Sequence, residues 1–119
     1  MEERRKFPRI DKVLPLKLSE SEFDILTETK NISASGAYCA VNKPLEIMTK
    51  LSIVLLIPFK KNNGKVIKKV NCGGVVVRNE SAQDNGKYPY RVGIYFNDIN
   101  DHDRKLLRSY IKPFLRKNN

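Results

Sequence analysis

The stretch LSIVLLIPFKKNNGKVIKKVNCGGVVVR, residues 51–78, decides the fold, because two strand patterns flank a tight turn within it. Every second position of its first part is apolar: Leu51, Ile53, Leu55, Ile57 and Phe59. This period of two is typical of a strand with one buried face. Asn62-Asn63-Gly64 then predicts a hairpin turn, since Asn and Gly tolerate the positive φ that tight hairpins require.

The second half of this stretch predicts a partner strand over residues 66–78, with Gly73-Gly74 in its middle. Glycines inside a strand indicate a bulge or a sharp bend where a sheet coils. We therefore expect a long antiparallel hairpin that bends near Gly73.

Strand patterns continue on both sides of this hairpin. Upstream, leucines alternate with other residues at positions 14, 16 and 18, and residues 23–29 and 37–41 form two further candidates, joined by a connection over residues 31–36. Downstream, positions 90, 92, 94 and 96 are apolar. Six short strands with turn signals between them predict an all-β fold, a six-stranded antiparallel β-barrel.

From about Asn100 the apolar period becomes helical, which predicts a C-terminal α-helix. Its apolar stripe consists of Leu106, Leu107, Tyr110, Ile111 and Phe114. Asn100 is the expected N-cap, and Pro113 is expected to end or kink the helix. We expect the stripe to pack on the barrel; a helix lying on a membrane surface is the alternative.

Length, composition and these patterns predict one cytoplasmic domain over residues 1–119, made of a flexible basic lead-in (1–12), the barrel (13–98) and the helix (99–117). No apolar run approaches the ~20 residues of a membrane span, and no secretory signal follows the basic N-terminus. Cys39 and Cys72 are expected to be reduced and buried. With His102 as the single histidine, no metal site is expected.

A formal net charge of +10 predicts an anionic partner or a strongly solvated surface, and basic residues concentrate at both ends of the chain. Arg5 to Arg9 forms R-x-x-x-R, and Asn31 to Gly36 forms N-x-S-x-x-G. Guanidinium groups match phosphate oxygens and the O6/N7 edge of guanine, while Asn and Ser supply complementary polar groups. Taken singly, the first motif also fits a disordered basic tail and the second an ordinary turn.

The order of these motifs along the chain resembles the PilZ domain family, bacterial receptors for the dinucleotide second messenger cyclic di-GMP. The resemblance also includes GVVVR at residues 74–78, RVGIYF at residues 91–96 and the final helix. It implies a PilZ-like split barrel with a C-terminal helix, in a stand-alone, single-domain member of the family. The nucleotide would be held between the N-terminal arginines and the barrel surface.

The resemblance also implies roles for individual residues. Arg5 and Arg9 would grip guanine and phosphate, Asn31 and Ser33 would read guanine edges and phosphate, and Gly36 would let the backbone approach. Arg4 occupies the position where an arginine accompanies binding of a stacked ligand dimer, and Arg78 is a further possible contact. Asn31 stands where Asp is also common, so a charge-assisted hydrogen bond to guanine is lost.

The resemblance implies a non-enzymatic receptor that changes conformation on binding cyclic di-GMP and signals to a partner protein. The process controlled would be motility, exopolysaccharide production or pilus function. The receptor would be a monomer or a ligand-dependent dimer. The alternative is a small basic barrel that binds nucleic acid non-specifically. Five of the ten aromatic residues disfavour it, because they are expected mostly in core-like alternations: Tyr38, Phe59, Tyr90, Tyr95 and Phe96. An enzyme is disfavoured because no nucleophile and base are paired.

Overall fold

The computed structural model describes residues 8–81 and 86–116, with side chains described as far as residue 115. Six strands precede one helix: β1 Pro15–Glu20, β2 Phe23–Ile32, β3 Gly36–Val41, β4 Lys50–Lys61, β5 Gly64–Ser81, β6 Tyr90–Asp98 and α1 Asp101–Arg116. This order confirms the expected all-β fold with a C-terminal helix.

The strands form a closed antiparallel barrel in the order β1-β2-β3-β6-β5-β4. Closure comes from β1, which pairs with β2 on one side and with β4 on the other. Closing a sheet removes its exposed edges, so every strand has two hydrogen-bonded neighbours. The interior is filled by the alternating apolar residues that the sequence predicted, among them Leu16, Leu18, Ile53, Leu55, Ile57, Val92, Ile94 and Phe96.

The hairpin of β4 and β5 is the longest in the molecule and is in register from Lys50 opposite Val75 to Lys61 opposite Gly64. Asn62 adopts a positive φ of 50° in the turn, as the Asn-Asn-Gly signal predicted. The register against β6 shifts between Gly73 and Val75, which confirms the expected bulge. A Cβ at Gly74 would lie 2.7 Å from the side chains of Ile53 and Ile94, so the bend requires glycine.

Helix α1 packs its apolar stripe on the barrel, where Leu107 and Ile111 are buried. Asn100 is the N-cap, since its Oδ1 accepts the Asp103 N–H at 2.8 Å. Pro113 does not end the helix, which continues to Arg116, so of the two expectations the end at Pro113 was wrong and the kink stays a prediction. A proline this near a C-terminus removes one backbone hydrogen bond, and packing of Phe114 against the core compensates.

The lead-in joins the barrel at Ile10, within the segment expected to be flexible. Ile10 and Ile32 exchange two backbone hydrogen bonds of 2.9 and 3.0 Å. Farther along, the buried Thr29 hydroxyl donates to the Lys12 carbonyl at 2.7 Å and accepts the Leu14 N–H at 2.9 Å. The segment that carries Arg9 is therefore tied to β2 on its C-terminal side.

Within residues 8–81 and 86–116, α1 is the one helix, and it is too short and too polar to cross a bilayer.

Candidate functional site

Arg9 and Asn31 bring the two sequence motifs together. The Arg9 Nη1 donates to the Asn31 Oδ1 at 3.1 Å, on the exposed surface. Two features position this pair: the Ile10–Ile32 bridge holds the lead-in beside the end of β2, and a register shift between Thr29 and Asn31 turns the strand locally. Arg4 and Arg5 lie outside the described residues, so their roles stay predictions.

The connection between β2 and β3 is shorter than expected. Asn31 belongs to β2 and Gly36 begins β3, which leaves residues 33–35 as the turn, so the expected bounds of 31–36 were wrong. The bulge at residue 30 is the physical reason, because it absorbs one residue and lets β2 continue.

Ser33 organises this turn from a buried position, with its side chain 2% exposed. Its hydroxyl oxygen accepts the Ser35 N–H at 3.1 Å, and its own N–H donates to the Gly36 carbonyl at 2.9 Å. The Ser35 carbonyl in turn accepts the Phe96 N–H at 2.8 Å, which fixes the turn to β6. Ser33 thus holds the segment beside Asn31 in one shape.

Gly36 permits a close approach between two strands. A Cβ at this position would overlap the carbonyl oxygen of Ile94 in β6. The barrel itself therefore requires glycine here, which is a structural reason independent of any ligand. The approach of a ligand at Gly36 stays a prediction.

Asn31 begins a row of residues that crosses the outer face of four neighbouring strands. It pairs with Tyr38 of β3, Tyr38 with Gly93 of β6, and Gly93 with Arg78 of β5. Because Gly93 has no side chain, Arg78 reaches across it until its guanidinium carbon lies 5.0 Å from the centroid of the Tyr38 ring. The row places Arg78 on the same outer face as Asn31.

Glu80 joins Tyr38 and Arg78 into one cluster. Its carboxylate accepts the Tyr38 hydroxyl at 2.7 Å and lies 3.4 Å from the Arg78 Nε. The hydrogen bond to Glu80, followed by partial burial, raises the pKa of Tyr38. Tyr38 is thus a neutral donor at neutral pH, and Glu80 competes with any anion for Arg78.

A basic groove borders the same site on the helix side. Its cavity of about 550 Å³ is lined by Pro8 of the lead-in, Ala34 of the β2–β3 turn, and α1. The helix contributes Lys105, Arg108 and Lys112, together with the apolar Ile111 and Leu115. The lead-in, the turn and α1 therefore meet around a cavity with three cationic side chains and an apolar floor.

Tyr38 and Tyr95 were not predicted as surface residues. Both faces of β3 are apolar, so its alternation does not say which side is inside. Tyr95 is 51% exposed and Tyr38 is half-buried on the outer face, so placing them in the core was wrong. The signal was available in β6: Val92, Ile94 and Phe96 are buried, which sends Tyr95 to the opposite face.

No cluster of three or more His, Cys, Asp or Glu that could hold a metal ion occurs among the described residues. The two thiols are also unsuited to nucleophilic chemistry at neutral pH. Burial raises the pKa of Cys39 to about 12, and burial with the nearby Asp103 and Asp98 carboxylates raises that of Cys72 to about 12. What this face offers is cationic, amide and hydroxyl groups, which suits binding of an anion.

The sequence model of the PilZ domain matches residues 3–112, nearly the whole chain, including both motifs. The chain belongs to the PilZ domain family. No curated protein sequence is significantly similar to it.

Solved structures share the PilZ fold. The inhibitor of motility MotI/DgrA from Bacillus subtilis superposes with a TM-score of 0.77 at 23% identity, covering 98% of this chain and 54% of that one, so this chain spans about half of that protein. The PilZ domain of YcgR from Escherichia coli, solved with cyclic di-GMP, superposes with a TM-score of 0.65 at 14% identity; the match covers 97% of this chain and 94% of that one. The PilZ domain of CeSA from a cellulose-synthesising bacterium superposes with a TM-score of 0.55 at 14% identity; the match covers 89% of this chain and 97% of that one.

Proposed function

We propose that this PilZ domain is a receptor for cyclic di-GMP, which it binds between the lead-in and the outer face of the barrel. The observation that carries the proposal is the hydrogen bond between Arg9 and Asn31, because it joins the two motifs, distant in sequence, into one polar surface. The YcgR PilZ domain, which has the same fold, was solved with this nucleotide, and this supports the choice of ligand.

Charge supports a doubly anionic ligand at this place. Lys105, Arg108 and Lys112 line the groove beside Pro8 and Ala34, in a chain whose net charge is +10. Cations around a concave surface raise the local concentration of an anion and strengthen its binding. The apolar floor of the groove is suited to the flat face of a base.

Each predicted contact has a chemical role in this proposal. Arg5 and Arg9 bind phosphate and the O6/N7 edge of guanine, and Arg4 contacts a second, stacked nucleotide. Asn31 presents an amide to guanine. Ser33 offers its hydroxyl to guanine or phosphate and also shapes the turn between Asn31 and Gly36. Arg78 binds the ligand only after its ion pair with Glu80 breaks. The cost of breaking that pair reduces the contribution of Arg78 to the binding free energy.

The signal passes to a partner protein. Binding fixes the arginines of the lead-in over the barrel and changes the surface that a partner meets, without rearranging the strands. Control of motility is the process that the similarity to the B. subtilis inhibitor of motility favours. We propose a monomer or a ligand-dependent dimer that binds either one nucleotide or a stacked pair.

Calorimetric titration with cyclic di-GMP tests the proposal, with GTP, cyclic AMP and a single-stranded oligonucleotide as competing ligands. We expect saturable binding of cyclic di-GMP alone, and its loss in Asn31→Ala. The matched control is Lys50→Ala, an exposed residue beside the β1–β2 turn, which should bind as wild type does. Binding of the oligonucleotide with steep salt dependence and no preference for cyclic di-GMP would establish the nucleic-acid alternative instead.

A further inference from the structure

A second groove lies between the tip of the β4–β5 hairpin and the C-terminal half of α1, with a volume of about 420 Å³. Its floor is aromatic. The Tyr110 ring meets Phe59 with centroids 6.2 Å apart and Phe114 with centroids 5.2 Å apart, both edge to face. We call this the aromatic groove; its side chains are half-buried, so it presents apolar surface to solvent.

The rim of the aromatic groove is positive. Lys60 and Lys65 line it, are exposed, and lie directly opposite each other in the hairpin register. Like charges in this position destabilise a strand pair. No Asp or Glu occurs from residue 47 to residue 79, and among the described residues neither lysine has an ion-pair partner. Neither ammonium group is neutralised by a carboxylate among the described residues, so both can bind an anionic group at the rim.

We propose that the aromatic groove docks a peptide segment of a partner protein in which one aliphatic or aromatic side chain is flanked by carboxylates. The aromatic floor accepts the apolar side chain, and the ammonium groups of Lys60 and Lys65 bind the carboxylates on either side. An apolar anchor in a pocket with complementary charges around it is the usual arrangement of a specific protein contact.

Three other occupants fit less well. A nucleic acid needs ring faces for stacking, but the rings meet edge to face, and the ammonium groups of Lys12 and Lys68 lie 4.4 and 5.7 Å from the centroids of Phe114 and Phe59. A second copy of the chain carries the same net charge of +10, so two copies repel each other. A lipid surface would meet the lysine rim before reaching apolar groups at the bottom of a concave site.

Nuclear magnetic resonance titration of the ¹⁵N-labelled chain tests this. The probe is a short peptide with one Leu flanked by Glu on both sides, and two control peptides carry Gln for every Glu or Gly for Leu. We expect amide shifts concentrated at residues 59, 60, 65, 109–112 and 114 with the probe alone. Lys60→Glu should weaken binding about tenfold, because it replaces attraction by repulsion. Lys50→Glu, an exposed lysine on the same strand with the same charge change, should weaken it less than about twofold.

Lys60→Glu also separates docking from folding. It places a carboxylate opposite Lys65, so the thermal midpoint should stay the same or rise while docking is lost. The proposal is wrong if Lys60→Glu and Lys50→Glu weaken binding of the probe peptide equally. It is also wrong if the amide shifts scatter over lysines of the whole surface, or if the probe peptide causes no shifts. It is also wrong if the probe peptide does not bind and the groove instead binds anionic vesicles, an oligonucleotide or a second copy of the chain. Loss of that binding in Lys60→Glu would identify the actual occupant.

Discussion

Arg9→Ala should abolish most cyclic di-GMP binding while leaving the barrel nearly as stable as before. In the structure the Arg9 side chain is exposed, and its one described contact is the 3.1 Å hydrogen bond to Asn31. An exposed hydrogen bond contributes little, so the free energy of unfolding should fall by less than about 1 kcal/mol. The backbone of this segment is held independently by Ile10.

The loss in the nucleotide complex is much larger. Removing one partner of a desolvated charged pair costs about 2–5 kcal/mol, because the phosphate or guanine edge stays buried without its donor. At about 1.4 kcal/mol per factor of ten, this corresponds to a loss of affinity between roughly 30-fold and several thousand-fold. Arg9→Lys should fall between Ala and wild type, since it keeps the charge and loses the bidentate fork.

Calorimetry measures the affinity and urea unfolding measures the stability of the same preparations. Lys50→Ala removes an exposed positive charge away from the site and controls for the general electrostatic field. A folded Arg9→Ala protein that binds within about threefold of wild type would refute the role of Arg9. Wild-type affinity in Arg9→Lys would show that a point charge suffices at this position and that Arg9 does not read a guanine edge.

Three further predictions concern the turn and the lead-in. Gly36→Ala should lower the free energy of unfolding by about 3 kcal/mol or more, because its Cβ overlaps the Ile94 carbonyl; an unchanged urea midpoint would contradict this. Ser33→Ala should cost about 1 kcal/mol of stability, since the Ser35 N–H loses its acceptor, and should weaken nucleotide binding less than Arg9→Ala, as unfolding and calorimetry can check. Amide exchange of residues 2–9 should slow on adding cyclic di-GMP, whereas Ile10, whose N–H donates to Ile32, should change little; equal exchange at saturation would disprove ordering of the lead-in.

The barrel was predictable because its strands alternate cleanly and its turns use residues with a known backbone preference. The hairpin from Lys50 to Ser81 follows from an apolar period of two around Asn62-Asn63-Gly64. Its bend follows from Gly73-Gly74, because glycines inside a strand pattern indicate a bulge. These are local properties of the sequence, and tertiary contacts reinforce them.

The misplaced features depend on tertiary structure. The bulge before Asn31 extends β2 by local pairing with β3, which no pattern of residues 31–36 reveals. Tyr95 lies outside because the opposite face of β6 fills the barrel. The helix continues through Pro113 because packing of Phe114 outweighs one missing hydrogen bond.

The candidate site was predictable as a set of residue types but not as a geometry. Arginines near the N-terminus and an Asn before a turn predict chemistry, and the contact between Arg9 and Asn31 arises from the bridge of Ile10 to Ile32. The Tyr38–Arg78–Glu80 cluster needs three strands in register around Gly93. Neither groove follows from the sequence, because each brings α1 against a segment distant along the chain.

The lead-in connects the proposed nucleotide site to the aromatic groove. Arg9 lies at the first, and Lys12, in the same segment, places its ammonium group over Phe114 in the second. Ile10, held to Ile32 by two backbone hydrogen bonds, lies between these two residues, so the nucleotide reaches the aromatic groove along this path only by shifting that anchor. By thermodynamic reciprocity, whatever factor the nucleotide imposes on peptide affinity, the peptide imposes on nucleotide affinity. Removing the Lys12 ammonium should reduce the effect of nucleotide on peptide affinity and the effect of peptide on nucleotide affinity equally. The affinity of each site for its ligand alone should stay the same. This result distinguishes coupling through the Lys12 contact from coupling through the barrel.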